Sequence, residues 1–89
     1  MAVLTTEIAR LHKLNKHGKL RKGVCIYHNS LGWLTYRTYE GITGTLDTAD
    51  DLTDYINRLL DKGYEIVGEM TVPTAVRSQR ETQDAIAND

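Results

Sequence analysis

The sequence predicts an α+β domain of two layers. An antiparallel sheet of three to four strands carries a helix on one face, in the order α-β-β-(β)-α-β. Three observations support this. The stretch 45–72, TLDTADDLTDYINRLLDKGYEIVGEMTV, switches from a helical to an alternating apolar period across one glycine, Gly63. Residues 23–28 and 33–39 each alternate and are joined by turn-forming residues, which is the pattern of an antiparallel hairpin. Residues 4–14 place Leu4, Ile8, Leu11 and Leu14 at spacings of four and three, the period of another helix.

Taken in order, Thr5 and Thr6 are the expected cap of the first helix, with Glu7 in its first turn and Gly18 as its stop. A basic linker, KLRKG at 19–23, leads into a strand with Val24, Ile26 and His28 on one face and Cys25 and Tyr27 on the other. Asn29, Ser30 and Gly32 bracket Leu31 in a turn. Trp33, Thr35, Tyr36, Thr38 and Tyr39 then suit a pleated surface. Gly41 and Gly44 interrupt the next segment, so residues 42–46 form a short third strand or a bulged continuation.

The central helix is the best-marked element. Asp47 or Thr48 caps it, Asp50 and Asp51 sit where negative charge suits the helix dipole, and Ala49, Leu52, Ile56, Leu59 and Leu60 form its apolar face. Asp54 precedes Arg58 by four residues, the favourable order for an ion pair. Gly63 occupies the position that commonly needs a left-handed backbone. The following strand puts Tyr64, Ile66, Met70 and Val72 on one face until Pro73 ends its ladder. Residues 1–72 are thus expected to form one domain and 73–89 a polar tail, flexible or folded as a short helix.

At 89 residues the chain buries only a modest core. A net charge of −1 argues against a protein that coats nucleic acid through bulk charge alone. The single cysteine, Cys25, cannot form an internal disulfide, no apolar run reaches membrane-spanning length, and no signal-peptide core is present. The expectation is a cytoplasmic setting with no membrane partner.

Catalytic and metal chemistry find little footing. His12, His17, His28 and Cys25 lack zinc-ligand spacing, and the Asp47, Asp50, Asp51 and Asp54 cluster lacks the glycine and closing glutamate of a calcium loop. Cys25 and His28 fall on opposite faces of one strand, and no serine sits in a nucleophile elbow. Gly18 and Gly23 are not followed by the Lys-Ser/Thr of a phosphate loop, and residues 41–44 match only a bare G-x-x-G. The expectation is no enzyme, no cofactor and no metal.

Charge is unevenly placed. Residues 10–22 carry Arg10, Lys13, Lys16, Lys19, Arg21 and Lys22 with no acid, whereas residues 40–69 are rich in Asp and Glu. The leading expectation is a small protein-binding module, a regulator or inhibitor of the kind encoded by phages or mobile elements. It would dock on the basic surface of a nucleic-acid-handling protein through Asp47, Asp50, Asp51 and Asp54, with Trp33, Tyr36 and Tyr39 as aromatic anchors. The alternative is a nucleic-acid-binding protein that uses the basic segment 10–22. A homodimer formed at an exposed sheet edge is compatible with both. The helix–three strands–helix order is similar in outline to the double-stranded-RNA-binding domain. That family starts its last helix with lysines that meet phosphate. Here the position carries Asp47, Asp50 and Asp51, charge of the opposite sign, so the likeness stops at element order.

Overall fold

The computed structural model describes residues 4–71 and 73. The chain runs β1 (Thr5–Leu14), β2 (Leu20–Asn29), β3 (Leu34–Thr38), β4 (Thr43–Leu46), α1 (Ala49–Asp61) and β5 (Glu65–Ile66). The five strands form one antiparallel sheet in the order β4-β3-β2-β1-β5. The α+β class, the hairpin and the capped helix agree with the sequence, but two elements do not.

The first correction concerns residues 5–14, which are a strand and not a helix. β1 pairs with β2 from Thr5↔Asn29 to Leu14↔Leu20. A helix this short with so narrow an apolar stripe is marginal by itself, whereas the strand joins a ladder along its whole length. The helix-like spacing has a specific origin. The register slips between Glu7 and Ala9, leaving Ile8 as an extra residue. Such a bulge changes the side-chain parity, so Ile8, Ala9 and Leu11 are all buried. The sheet therefore has five strands instead of three or four, and the outline shared with the double-stranded-RNA-binding domain loses its first helix.

The second correction concerns the last strand. Among the described residues the ladder covers Glu65–Ile66, opposite His12 and Leu11, and Val67 N–H adds one bond to the Arg10 carbonyl at 2.8 Å. Gly68 at φ +71° turns the extended backbone aside, after which Thr71 N–H reaches the Ile8 carbonyl at 2.8 Å. Met70 stays exposed. Val72 and the tail from residue 74 onward lie outside the described residues.

Helix α1 links the two outer strands. β4 and β5 lie on opposite edges and run in the same direction, so the chain between them must cross the sheet. The 13 residues of α1 at ~1.5 Å each make a rod of about 20 Å. Four interstrand steps of ~4.8 Å span about the same width. Thr48 is the N-cap, its Oγ1 accepting from Asp51 N–H at 3.0 Å. At the other end Tyr64 N–H donates to the Leu59 carbonyl and Gly63 N–H to that of Leu60, both at 3.0 Å. With Gly63 at φ +93°, this is the Schellman arrangement that the glycine stop predicts. The expected Asp54–Arg58 pair is not among the ion pairs of the described residues, which are Glu7–Arg10 and Lys22–Glu40.

Leu52, Ile56 and Leu59 of α1 share one apolar cluster with Ile8, Ala9, Leu11, Val24, Ile26, Leu34 and Leu46 of the sheet. Ala49 and Leu60, expected on that face, are exposed. Tyr36, opposite Gly44 in the register, lays its ring over that glycine and against Tyr55, with ring centres 4.7 Å apart. A Cβ on Gly44 would occupy the space of the Tyr36 phenol, so the glycine makes room for the aromatic contact.

Candidate functional site

The register places a second set of side chains on the face away from the cluster. Cross-strand rows put Glu7 beside Tyr27 and Thr35, then Arg10 beside Cys25, Arg37 and Thr43. The next row holds His12 and Gly23, and Tyr39 N–H bonds to the Gly23 carbonyl at 2.9 Å. No described element covers this face. Cys25 nevertheless lies at 5% exposure beneath its longer neighbours.

Tyr39 is held in place without being buried. Its hydroxyl lies 2.8 Å from His12 Nε2, its ring meets the His12 ring edge-on at 71°, and it covers the Gly23 backbone. It remains 45% exposed. Desolvation by neighbouring side chains, with Cys25 contributing, raises the Tyr39 and Tyr27 phenols above their usual value of 10. Both are neutral donors at physiological pH. Glu7 accepts from Arg10 Nε at 3.1 Å and Nη2 at 2.7 Å. The guanidinium holds the Glu7 carboxyl below its usual value, and the carboxylate raises Arg10. Arg37 is exposed and has neither ion pair nor hydrogen bond among the described residues.

Two shallow concavities lie on this face. One of about 480 Å³ is lined by Tyr27, Arg37, Thr38 and Tyr39. The other, of about 300 Å³, is bordered by Tyr27, Thr35, Arg37, Thr43 and Thr45 among others. Tyr27 and Arg37 border both, and the first, which Tyr27 and Tyr39 line together, is the trough between the two tyrosines.

The basic segment takes a shape that the sequence did not suggest. β3 pairs with β2 only from Val24 to His28, and β5 pairs with β1 only at Leu11 and His12. Residues 13–22 therefore extend past their neighbours as a two-stranded ribbon. Its tip is fixed by Asn15, whose Oδ1 accepts from His17 N–H at 2.9 Å and Lys19 N–H at 3.0 Å. Lys13 and Lys22 face each other across the ribbon, a like-charge pair that costs stability. Each has relief nearby, since the Lys13 ammonium lies 5.9 Å from the Tyr64 ring centre and that of Lys22 lies 3.8 Å from Glu40. Lys16, Lys19 and Arg21 are exposed and carry no ion pair among the described residues. Arg10 does not belong to the ribbon: its place is on the open face, bound to Glu7.

The proposed protein-docking residues separate. Asp47, Asp50, Asp51 and Asp54 are exposed at the start of α1, where Asp47, Asp51 and Asp54 border a groove of about 170 Å³ with Thr45, Leu46, Tyr55 and Arg58. Tyr36 packs against Tyr55 on the cluster side. Tyr39 stands on the other face. Trp33 is half-buried in the β2–β3 turn, where its backbone N–H donates to Asn29 Oδ1 at 3.2 Å. The sequence did not single out Tyr27 and Arg37. Their signal was the alternation Cys25–Tyr27 and Thr35–Arg37–Tyr39, which marks one shared face.

His28 Nε2 is buried with no hydrogen-bond partner among the described residues. Among these residues no group of three or more His, Cys, Asp or Glu side chains is arranged to hold a metal, and no helix is long and apolar enough to cross a membrane. No protein family, curated protein or solved structure matches the chain.

Proposed function

We propose that the chain is a non-enzymatic nucleic-acid-binding protein that grips phosphates with the ribbon of residues 13–22. The supporting observation is the gathering of Lys13, Lys16, Lys19, Arg21 and Lys22 on one projecting hairpin that contains no acid. Cations on a ribbon reach successive phosphates and release counterions, which makes affinity salt-dependent. The chain's near-neutral total charge is compatible with this, because α1 carries its acids elsewhere. A two-layer arrangement, with α1 on one side of the sheet, leaves the opposite face free beside the ribbon.

The test is fluorescence anisotropy with labelled oligonucleotides at low salt. Neutralising Lys16, Lys19 and Arg21 together should weaken binding and flatten its salt dependence while leaving the fold intact by circular dichroism. A wild-type protein that binds neither DNA nor RNA at low salt ends this proposal.

The second proposal is a protein partner with a basic surface, met by Asp47, Asp50, Asp51 and Asp54. All four are exposed, and Asp47, Asp51 and Asp54 border a groove, which favours it. A regulator or inhibitor would act in this way. Charge reversal of Asp50, Asp51 and Asp54 should then remove a nuclease-resistant partner from a pull-down, and unchanged capture would count against the acidic face. A second copy joined at the β4 edge is compatible with either mode.

A further inference from the structure

We infer that the open sheet face binds unpaired bases of a single strand, with Tyr27 and Tyr39 as stacking surfaces and Arg37 as the phosphate contact between them. This rests on the ribbon proposal and extends it from charge to strandedness. Four features of the face favour a single strand over a duplex or a protein. Its two tyrosines border one trough and are at least partly accessible. Arg37, in the row between them, is the cation on this face left without a partner among the described residues. The acid there, Glu7, is already engaged by Arg10, which offsets its repulsion of a phosphate at Arg37. Finally, Tyr39 lies over Gly23, the residue after Lys22, so a strand leaving the ribbon meets Tyr39 first, then Arg37, then Tyr27.

The spacing also fits. Gly23, under Tyr39, lies four residues from Tyr27 along β2, roughly 13 Å at ~3.3 Å per residue. That is too far for both rings to clamp one base and enough for each to stack its own. Stacking needs a free base face, which a duplex does not offer. The neutral phenols keep the rings compatible with an anionic strand.

The test uses the full chain and three labelled probes: an oligothymidine strand, an abasic strand with the same phosphates, and a duplex of the same length. Wild type should bind oligothymidine more tightly than the other two. Tyr27→Ala and Tyr39→Ala should each weaken oligothymidine binding by about 5- to 150-fold and leave abasic binding unchanged. Tyr27→Phe and Tyr39→Phe should restore oligothymidine binding, because the ring and not the hydroxyl does the stacking. The Phe variants also guard against misfolding of an Ala variant. Equal binding of abasic and base-bearing strands, or preference for the duplex, overturns this inference and leaves the ribbon proposal standing. Failure of every probe to bind at low salt removes both.

Discussion

Replacing Leu11 by alanine tests the strand that the sequence did not predict. Leu11 is 0% exposed and sits between Val24 of β2 and Ile66 of β5. Losing its outer carbons removes about 0.8 kcal/mol of transfer energy for each of three, or about 2.4 kcal/mol. The cavity left behind lifts the cost to about 3 kcal/mol or more. For a domain this size that is a fall in Tm of about 12–25 °C. Leu14, on the same strand but 46% exposed, should cost only about 0.5 kcal/mol or less when changed to alanine. The contrast is diagnostic, because a helix with a Leu4–Ile8–Leu11–Leu14 stripe would bury both leucines. Urea denaturation of the two variants, followed by circular dichroism, measures the difference. Equal costs, or a Leu11→Ala cost below about 1 kcal/mol, would refute the strand assignment and the core built on it.

Three further outcomes follow from the geometry. Gly44→Val puts atoms where the Tyr36 ring lies and pushes it from Tyr55, so chemical denaturation should show a loss of about 1–3 kcal/mol; a gain would mean the ring moves freely. Thr48→Ala removes the acceptor for Asp51 N–H and should cost about 1 kcal/mol in the same assay, against a negligible change if Asp47 were the cap. Burial, with Tyr36 and Tyr64 near, pushes the Tyr55 phenol up to about 12 from 10. The folded state holds that proton more tightly than the unfolded chain, so this contribution is complete below pH 10 and is lost as pH rises through 12. Melts across that window should decline, and Tyr55→Phe should lessen the decline without removing it, because Tyr27 and Tyr39 are raised too.

What was legible in the sequence was whatever local periodicity and caps determine. Thr48, Gly63 and the Leu52–Ile56–Leu59 spacing mark the ends and the buried face of α1 within its own sequence. The alternation of Val24, Ile26 and His28 against Cys25 and Tyr27 sorted β2 into its two faces. Residues 5–14 misled because a bulge at Ile8 shifts parity by one, and a strand with a bulge can present apolar residues three apart. Only the partner strand distinguishes that from a helix. The last strand misled because its alternation continued through Gly68, whose positive φ is invisible to hydropathy. The site suffered from the same limits. The basic run of residues 10–22 was plain, but reading its first part as helix and the rest as linker hid the ribbon. Tyr36 and Tyr39 lie an odd number of residues apart, which puts them on opposite faces of a strand and separates a core ring from an exposed one once the side bearing α1 is known. Tyr27 and Arg37 come together only through pairing between β2 and β3.

The salt dependence of oligonucleotide affinity tests the proposed role of the ribbon most directly. Anisotropy titrations with single-stranded probes between about 50 and about 200 mM salt give the slope of log K against log salt. If Lys13, Lys16, Lys19, Arg21 and Lys22 all meet phosphate, they contribute about −3.5 to the wild-type slope, at ~0.7 per contact on a single strand, and an Arg37 contact adds ~0.7 more. Neutralising Lys16, Lys19 and Arg21 should flatten it by about 2. A slope near zero, or one that the triple variant leaves unchanged, would contradict phosphate binding by the ribbon.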